Sequence, residues 1–506
     1  MNETPIKVGF LMKNEKCSPI FLATLFVFVS EILFYTFLPE KITFTNGKCI
    51  HNLSYLWRCF SQKENGFRIM LAVGMRKEAR VPVKVSKFGG TSLADAEKAM
   101  AVKSIILQDS DRRIIVPSAP GKRWEDDIKI TDLLIKSKDE LLISVAGSPS
   151  FLTMETRFFE MAERLNVPLD KGLFSEIAEK YKREGNASYL LSRGEFLMGK
   201  ILALLLGFTF VDAADLIYFG EDGLPDTKRI REKTVAALEK YKKIVVPGFY
   251  GCDAKGNIRV FSRGGSDITG ALLAEAVNAE LYENFTDVSG VFAASPRIVN
   301  NPRRIPYLSY RELRALSSFG ASVLHEDAVF AVRRARIPIH ILNTFDPMKK
   351  GTVVSFDERL LRGGGNIIGI SGKAGYTLLV LKRTYGREAE AKNTVLLRSI
   401  HESGFKTEEV FFSTDTVSYC FSAEKHSLSE EVLLPEETVV CRSGLALISI
   451  VGDPSLHTLG LVFQTLAKHT PELLFAEKSP DGLNFYLCIP EAYLEDVIRA
   501  LYGILF

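Results

Sequence analysis

Runs of apolar residues alternate with amphipathic stretches over most of the chain. Residues 81–92, VPVKVSKFGGTS, have the pattern of a buried strand that ends in a glycine turn, and the helical pattern SLADAEKAMAVKSIIL follows. Further apolar strand candidates, separated by helical stretches, lie at 114–118, 243–250, 279–286 and 337–342. Because strands that alternate with helices are typical of a parallel sheet covered on both faces, the pattern predicts an α/β domain.

The rest of the pattern predicts the domain organisation. Residues 150–206 are mostly helical in pattern and are expected to form a subdomain beside the sheet. After 351–356, GTVVSF, the stretch DERLLRGGGN contains three consecutive glycines and is typical of a hinge, and two segments of strand–helix–strand character follow. The predicted parts are an N-terminal extension (1–80), the α/β domain (81–356), a hinge linker (357–366) and two α+β domains (367–438 and 439–506).

The first eighty residues differ from the rest. The run from Pro19 to Pro39, PIFLATLFVFVSEILFYTFLP, is long enough to cross a bilayer and contains Glu31 as its one charged residue. Three interpretations stay open: a translation start at or near Met75 that leaves the upstream stretch untranslated, a membrane anchor, or a targeting segment. We favour the start near Met75, because a clear strand pattern begins shortly after it.

Composition excludes several classes of protein. The 506 residues are 46% apolar and 25% charged, which is ordinary for a globular protein and argues against disorder or a polytopic membrane protein. The net charge is +3, and residues 1–80 carry 11 basic and 6 acidic side chains, so the remainder is nearly neutral. No nucleic-acid partner is expected from so small a charge.

The seven cysteines form no metal-binding pattern. They lie at 17, 49, 59, 252, 420, 441 and 488, without a CxxC pair or a nearby histidine at zinc-ligand spacing. We expect reduced, mostly buried thiols and a cytoplasmic protein.

Two glycine turns are candidate phosphate sites. Gly89 and Gly90 allow a ligand to approach the backbone, and Lys87 lies beside them. The stretch RGGSDITGALLAEAV (263–277) has the same construction, with Asp267 near the first turn of a predicted helix. Two such turns suggest a bound nucleotide polyphosphate, although neither a Walker loop nor the protein-kinase motifs occur.

Five ordered motifs make the interpretation specific: KFGGTS at 87–92, SRGE at 192–195, RGGSD at 263–267, FTDVSGVF at 285–292 and FGASVLH at 319–325. In this order and spacing the chain resembles the aspartokinases of the amino acid kinase superfamily. The resemblance covers about residues 83–355 and continues more weakly to the C-terminus, where the two α+β segments resemble paired ACT domains.

The resemblance implies a fold, an activity and partners. The expected fold is an amino acid kinase domain followed by two ferredoxin-like ACT domains. The expected activity transfers the γ-phosphoryl group of ATP to the β-carboxylate of L-aspartate, the first step towards lysine, threonine and methionine. Mg²⁺ would be bound mainly through the nucleotide phosphates, without a dedicated protein metal site. Feedback by lysine or threonine and a homo-oligomer formed through the ACT domains are also implied, with membrane attachment only if residues 19–39 are an anchor.

The resemblance also implies roles for individual residues. Lys87 would neutralise the transferring phosphoryl group, and Gly89 and Gly90 would donate backbone N–H groups to the phosphates. Arg263 would bind the α-carboxylate of aspartate, and Asp267 would orient its ammonium group. The other implied substrate residues are Thr131 and Glu195, the latter near the ammonium group. The implied ATP-site residues are Thr286, Asp287, Phe292, Arg297, Ser322 and Val323.

Departures from the family pattern leave alternatives open. Phe292 replaces a frequent tyrosine, Ser295 a frequent aspartate and Ser322 a frequent lysine. The departures at Ser295 and Ser322 keep open an amino-acid sensor without turnover as an alternative function. The other alternative is a different amino acid kinase, acting on glutamate, N-acetylglutamate, carbamate or a nucleoside monophosphate. Structural alternatives are a helix cap for Glu195, a surface ion pair for Arg263 and stabilisation of its helix N-terminus for Asp267.

The implied effector contacts lie in the first ACT-like segment, within FSTDTVSYCF (412–421). They are Ser413, Thr414 and Asp415. The alternative is that this stretch is an exposed loop that leads into an edge strand.

Overall fold

The computed structural model describes residues 8–11, 56–57, 70–73, 82–143, 148–262, 264–318, 324, 326–356, 367–382, 387–422 and 438–506. Contacts divide the chain into two units, Met1–Val81 and Pro82–Phe506. The described strands of the first unit, β1 (Val8–Leu11), β2 (Leu56–Trp57) and β3 (Met70–Val73), pair antiparallel with β3 in the middle. Residues 19–39 and Met75 lie outside the described residues, and no described helix is long and apolar enough to span a membrane.

A mainly parallel sheet lies at the centre of the kinase-like part of the second unit. The strands are β4 (Lys84–Phe88), β5 (Arg112–Pro117), β6 (Thr209–Phe210), β7 (Ile244–Val245), β8 (Tyr250–Cys252), β9 (Ile258–Val260), β10 (Leu281–Thr286), β11 (Val291–Phe292), β12 (Arg304–Ile305), β13 (Tyr307–Ser309), β14 (Ile339–Asn343) and β15 (Thr352–Ser355). Within the described residues the order across the sheet is β13-β15-β14-β10-β4-β5-β7-β6, and only β14 and β15 pair antiparallel. Two separate ribbons pair β8 with β9 and β11 with β12.

Helices cover both faces of this sheet. They are α1 (Ala96–Leu107), α2 (Ile130–Ile143), α3 (Pro149–Arg164), α4 (Gly172–Glu184), α5 (Ala187–Leu191), α6 (Arg193–Leu206), α7 (Thr227–Tyr241), α8 (Gly265–Val277), α9 (Tyr310–Ser318) and α10 (Glu326–Arg334). Several begin at a polar cap, as where the Asp95 side chain accepts from the Lys98 N–H group at 2.9 Å. The predicted helical region 150–206 corresponds to α3–α6.

Alternate side chains of the central strands enter two different cores. Val85 and Tyr282 belong to the core under α8, whereas Phe88 and Phe285 point to the opposite face and stack with ring centroids 4.6 Å apart. This alternation follows from the two-residue period of a strand, and burial on both faces explains why these strands are apolar. The predicted α/β fold class is confirmed.

One predicted strand is divided. The stretch 243–250 contains only two strand residues, Ile244 and Val245, before β8 begins at Tyr250. Pro247 has no N–H group for a sheet hydrogen bond, and Gly248 donates to the Pro117 carbonyl at 3.1 Å. Pro247 therefore interrupts the strand, and the chain stays beside β5 as far as Gly248.

A second, antiparallel sheet forms the C-terminal region. Its strands are β16 (Ile367–Lys382), β17 (Lys406–Phe412), β18 (Thr416–Ser422), β19 (Thr438–Gly452), β20 (Phe475–Lys478) and β21 (Asn484–Pro490), with helices α11 (Arg387–Glu402), α12 (Leu456–His469) and α13 (Leu494–Leu505). Among the described residues the order is β17-β18-β16-β19-β21-β20. The two predicted α+β segments thus share one sheet through the pairing of β16 with β19.

The C-terminal sheet packs directly on the kinase-like part. The Ile370 N–H group donates to the Ala293 carbonyl at 2.7 Å, and the Arg303 N–H group donates to the Tyr502 hydroxyl at 2.8 Å. Ala293 follows β11, and Tyr502 lies on α13. The segment after β11, which includes predicted ATP-site residues, therefore contacts the C-terminal domain.

Candidate functional site

The order of the sheet places a crevice between β4 and β10. From β4 the chain continues to β5 on one side, and it later returns to form β10 on the other side. Ligands of open α/β sheets bind beyond the carboxyl ends of the strands at such a switch in strand order. The strands end there at Phe88 and Thr286, so the turn at Gly89 and Gly90 and the residues after Thr286 lie at this edge.

Gly90 is held by close backbone packing. A Cβ atom at this position would lie 2.7 Å from the Ala119 carbonyl oxygen, and the Gly121 N–H group donates to the Gly90 carbonyl at 2.8 Å. At Gly89 a Cβ atom would meet its nearest neighbour, the Phe285 oxygen, at an ordinary 3.5 Å. Gly90 thus needs the absence of a side chain more than Gly89 does.

The Gly89 N–H group already has an acceptor. It donates to the Phe285 carbonyl at 3.0 Å and so ties the turn to the end of β10. This hydrogen bond competes with the predicted donation from Gly89 to a phosphate. In this structure the Gly89 amide holds the two strand ends together.

Lys87 forms an ion pair with Asp267. The register of β4 and β10 places Lys87 opposite Asn284, on the face that α8 covers. Lys87 Nζ lies 2.6 Å from Asp267 Oδ1, and Asn284 Nδ2 donates to the same oxygen at 2.8 Å. Both side chains of the ion pair are largely buried, so the structure orients the lysine rather than leaving it free in solvent.

The second glycine turn sets the start of α8 and hence the position of Asp267. Gly264 adopts a left-handed conformation with φ of 61°, and a Cβ atom on Gly265 would lie 2.9 Å from the Phe249 Cα atom. The Tyr282 hydroxyl donates to the Asp267 carbonyl at 3.1 Å. Asp267 therefore occupies the first turn of α8, as predicted, and also pairs with Lys87.

Glu195 lies across the β5–α2 loop (residues 118–129) from the glycine turn at Gly89 and Gly90. It is 4% exposed, and its Oε2 atom has no hydrogen-bond partner among the described residues. Burial raises the pKa of Glu195 from 4.5 to about 8, although N–H groups of Glu195 and Ala119 and the charge of Arg193 oppose the shift. A buried carboxyl group with an unused oxygen is suited to bind a cation.

Close packing brings Thr131 to the same region. A Cβ atom on Gly194 would lie 2.8 Å from the Ala119 Cβ atom and 3.1 Å from Ile130 Cγ2. Helix α6 therefore contacts both the β5–α2 loop and the start of α2, where Thr131 is half-buried. Thr131 and Glu195 thus lie on neighbouring elements at this end of the sheet.

The arginine of the SRGE motif, Arg193, packs against aromatic rings of the protein. The Arg193 guanidinium lies over the rings of Tyr189, Phe196 and Tyr250 at 4.4, 4.3 and 5.3 Å from their centroids. It also donates to the Ser192 hydroxyl at 2.8 Å. These contacts stabilise the first turn of α6, which carries Glu195.

The predicted ATP-site residues are only partly assembled. The Thr286 hydroxyl donates to Asp287 Oδ1 at 3.2 Å at the end of β10, next to Phe285, whose carbonyl accepts from the Gly89 N–H group. Phe292 is half-buried in β11, and Arg297 is exposed beyond it. Arg263, Ser322 and Val323 lie outside the described residues.

Sequence reasoning missed Asn284 and the loop residues Ala119 and Gly121. Asn284 is 1% exposed, and its Oδ1 atom has no hydrogen-bond partner among the described residues. The available signal was a polar residue inside an otherwise apolar strand, since polar side chains are buried mostly where they form hydrogen bonds. The roles of Ala119 and Gly121 depend on contacts between distant segments, for which the sequence contains no local signal.

The predicted effector residues lie in an exposed hairpin turn. Ser413, Thr414 and Asp415 connect β17 to β18, and the Ser413 N–H group donates to the Thr416 carbonyl at 2.9 Å. Strand β17 lies at the edge of the sheet among the described residues. The effector role stays a prediction beside the alternative of an exposed loop.

Metal ligands are not clustered in the part of the chain that the structure describes. No group of three or more His, Cys, Asp or Glu side chains there is arranged to hold a metal ion. The described cysteines, Cys252, Cys420, Cys441 and Cys488, are unpaired thiols, of which Cys441 is partly exposed and the others are buried.

Comparisons with known proteins agree with this geometry. A sequence model of the amino acid kinase family matches residues 82–343. Aspartokinase 3 of Bacillus subtilis (strain 168) is 29% identical over 450 residues, which cover 83% of this chain and 98% of that protein. The crystal structure of Clostridium acetobutylicum aspartate kinase has a TM-score of 0.76 at 34% identity and covers 84% of this chain and 100% of that chain. Escherichia coli aspartokinase III, crystallised with aspartate and ADP, shares the fold with a TM-score of 0.69 at 23% identity, covering 84% of this chain and 100% of that chain.

Proposed function

Since the chain belongs to the amino acid kinase family and within it to the aspartate kinases, we propose that it transfers the γ-phosphoryl group of ATP to the side-chain carboxylate of L-aspartate. One observation carries the proposal: the β5–α2 loop separates two unlike charged groups at the switch point. Lys87, beside the glycine turn, is suited to phosphates, whereas the buried carboxyl of Glu195 is suited to the ammonium group of an amino acid.

The chemistry requires no general base. The aspartate side chain is already ionised near neutral pH, so its oxygen attacks the γ-phosphorus while the bond to the oxygen of the ADP leaving group breaks. Catalysis then depends on positioning and on neutralisation of charge. Lys87 supplies a cation for the transferring group, and the ion pair with Asp267 orients it.

The remaining residues divide between the two substrates. Arg263 binds the α-carboxylate of aspartate as a bidentate partner, and Thr131 adds a hydroxyl group. The backbone N–H group of Gly90 donates to the phosphates. The nucleotide site is completed by Thr286, Asp287, Phe292, Arg297, Ser322 and Val323.

The site fits a nucleotide that carries Mg²⁺. The buried Asn284 Oδ1 atom, on the strand residue opposite Lys87, is an oxygen donor of the kind that Mg²⁺ prefers. When bound, Mg²⁺ would neutralise charge on the β- and γ-phosphates. The main protein contribution to this neutralisation is Lys87.

Regulation is proposed for the C-terminal sheet. An amino-acid end product, lysine or threonine, binds near Ser413, Thr414 and Asp415 and changes kinase activity through the contact between β16 and the segment after β11. Lysine is the first candidate, because Escherichia coli aspartokinase III has been crystallised with lysine and aspartate in its T-state. The protein acts in the cytoplasm as a homo-oligomer formed through these domains.

Hydroxylamine trapping tests the reaction. Full-length protein is incubated with ATP, Mg²⁺ and L-aspartate, L-glutamate or N-acetyl-L-glutamate, and the acyl phosphate is trapped as a hydroxamate. We expect hydroxamate from L-aspartate alone and its suppression by lysine or threonine. Lys84→Met is the matched control for Lys87→Met, because Lys84 also forms an ion pair, with Asp109 at 2.7 Å, but lies at the other end of β4.

Two results would change the assignment. Hydroxamate from L-glutamate or N-acetyl-L-glutamate in place of L-aspartate would indicate a kinase of another small acid. Folded protein that forms no hydroxamate but binds lysine or threonine by calorimetry would indicate a sensor without turnover.

A further inference from the structure

Arg157 is a buried cation that contacts the β5–α2 loop (residues 118–129) instead of a substrate-site residue. It lies on α3 and is 7% exposed. Its guanidinium donates to the Gly121 carbonyl at 2.9 Å and to the Ile128 carbonyl, and it lies 3.4 Å from Asp127 Oδ2. One side chain thus joins the beginning and the end of this loop.

Asp127 connects the same network to the middle of the loop. The Arg123 N–H group donates to Asp127 Oδ2 at 3.0 Å, and the Arg123 guanidinium forms a bidentate pair with the two oxygens at 2.9 and 3.1 Å. Asp127 therefore interacts with two guanidinium groups, one from the loop and one from α3. Bidentate arginine pairs fix geometry as well as charge.

The loop in turn contacts both halves of the site. Gly121 donates to the Gly90 carbonyl at 2.8 Å, and the Ala119 carbonyl oxygen lies 2.7 Å from where a Cβ atom on Gly90 would be. Ala119 also packs against the residue before Glu195, since a Cβ atom on Gly194 would lie 2.8 Å from the Ala119 Cβ atom. The Ile130 N–H group donates to the Pro120 carbonyl at 3.2 Å, which links the loop to the start of α2 and to Thr131.

Resting on the proposed function, we propose that Arg157 is a positioning residue for aspartate, which holds the β5–α2 loop so that Glu195 and Thr131 keep their places relative to the glycine turn. A buried cation is costly, and an apolar side chain of similar size often gives equal or greater stability. The guanidinium contacts are to loop carbonyls and to Asp127, and they therefore specify the conformation of the loop.

The test compares Arg157→Met with Arg157→Lys and with a control on the same helix, Arg164→Ala. Arg164 is exposed and pairs with the exposed Glu97 at 2.8 Å. For Arg157→Met we expect the KM for aspartate to rise about 10- to 100-fold, because small misplacements of binding groups have effects of this size. The KM for ATP should change less than about threefold by the same argument, since the Lys87 ammonium group is held by Asp267, outside this loop.

Arg157→Lys should lie between wild type and Arg157→Met, because an ammonium group cannot reach both loop carbonyls in the forked geometry of guanidinium. Arg164→Ala should match wild type. A purely structural role would lower Tm and kcat together and leave both KM values unchanged, which would overturn the proposal. Unchanged kinetics in Arg157→Met would overturn it as well.

Hydrogen exchange separates this proposal from the proposed function. Amides of residues 118–130 should exchange faster in Arg157→Met than in wild type, while peptides from the rest of α3 should stay protected. Unaltered exchange of the loop would contradict the positioning role even if the enzyme is active. Absence of hydroxamate in wild type would instead reject the proposed reaction.

Discussion

Asp267 and Glu195 are two carboxyl groups at the same end of the kinase sheet, and the protein surrounds them differently. Asp267 has a cation at 2.6 Å and accepts a hydrogen bond from Asn284. Glu195 is more deeply buried and has an oxygen without a partner in the part of the chain that the structure describes. The first carboxylate orients a protein cation, whereas for the second we propose that the substrate supplies the cation.

The comparison shows how burial can serve binding. A carboxylate that is already paired with a cation of the protein is stabilised little by a further cation. A buried carboxyl group with a raised pKa is unfavourable when ionised, so a substrate ammonium group removes part of that cost. The difference between the two carboxyl groups therefore supports the separate roles that we propose for them.

The largest effect on activity is expected for Lys87→Met, which removes the cation that is paired with Asp267. Turnover should fall about 10²- to 10³-fold, as when one preorganised transition-state donor is removed. Lys84→Met should retain activity within about threefold, because partly exposed ion pairs contribute little. The measurement is kcat by hydroxamate formation, and equal losses in the two variants would remove the distinction between the two lysine–aspartate pairs.

Gly90→Ala should disturb the contact between the glycine turn and the β5–α2 loop, which lies between Lys87 and Glu195. The new Cβ atom would lie 2.7 Å from the Ala119 carbonyl oxygen, so the loop or the turn must shift. We expect kcat/KM for aspartate to fall about 10²-fold through misplacement of reacting groups. The matched control, Gly89→Ala, meets an ordinary contact and should lose much less; similar values for both variants would show that the close contact is unimportant.

Glu195→Gln removes the negative charge of the Glu195 carboxylate and keeps the shape of the side chain. The KM for aspartate should rise about 10- to 100-fold, as for loss of a hydrogen bond to a charged group. Because burial raises the pKa of Glu195 to about 8, the wild-type KM should fall as pH rises from about 6.5 to 8.5, when the carboxylate ionises. Steady-state kinetics across this range should show a flat profile for the variant, and a persisting slope would mean that another group titrates.

The same pKa predicts a difference in stability without substrate. A carboxyl group with a folded pKa above its unfolded value stabilises the protein in its protonated form, and this contribution is lost as pH rises from about 4.5 through 8. The Tm of wild type should therefore fall relative to Glu195→Gln between about pH 4.5 and pH 8. Thermal unfolding curves measured in parallel test this, and parallel Tm profiles would contradict the raised pKa.

The smallest effect on basal turnover is expected at a third carboxylate, Asp415, which is exposed in the β17–β18 turn. Asp415→Ala should leave kcat unchanged and raise the lysine or threonine concentration for half-inhibition about 5- to 100-fold, the range of an allosteric coupling of 1–3 kcal/mol. Asp453→Ala, which removes the exposed partner of Lys478, is the control. Unaltered inhibition would favour a purely structural turn.

Much of the fold follows from local sequence. The spacing of apolar residues and the residues typical of turns predict the apolar strands, the helix after each glycine turn and the helical region 150–206. These signals are local because they depend on neighbouring residues. The motifs also identify Lys87, Asp267 and Glu195 as candidates. The divided strand near Pro247 is a small departure with a local cause.

The sequence by itself thus determined the α/β class, the order of elements and the chemical types present at the site. Tertiary structure decided which groups meet: the register of β4 and β10 places Asn284 beside Lys87, and α3 places Arg157 against the β5–α2 loop. It also decided that Asp267 has a protein cation while Glu195 is buried with a raised pKa. The physical reason is that contacts and desolvation depend on segments far apart in the chain, whereas propensity and pattern depend on near neighbours.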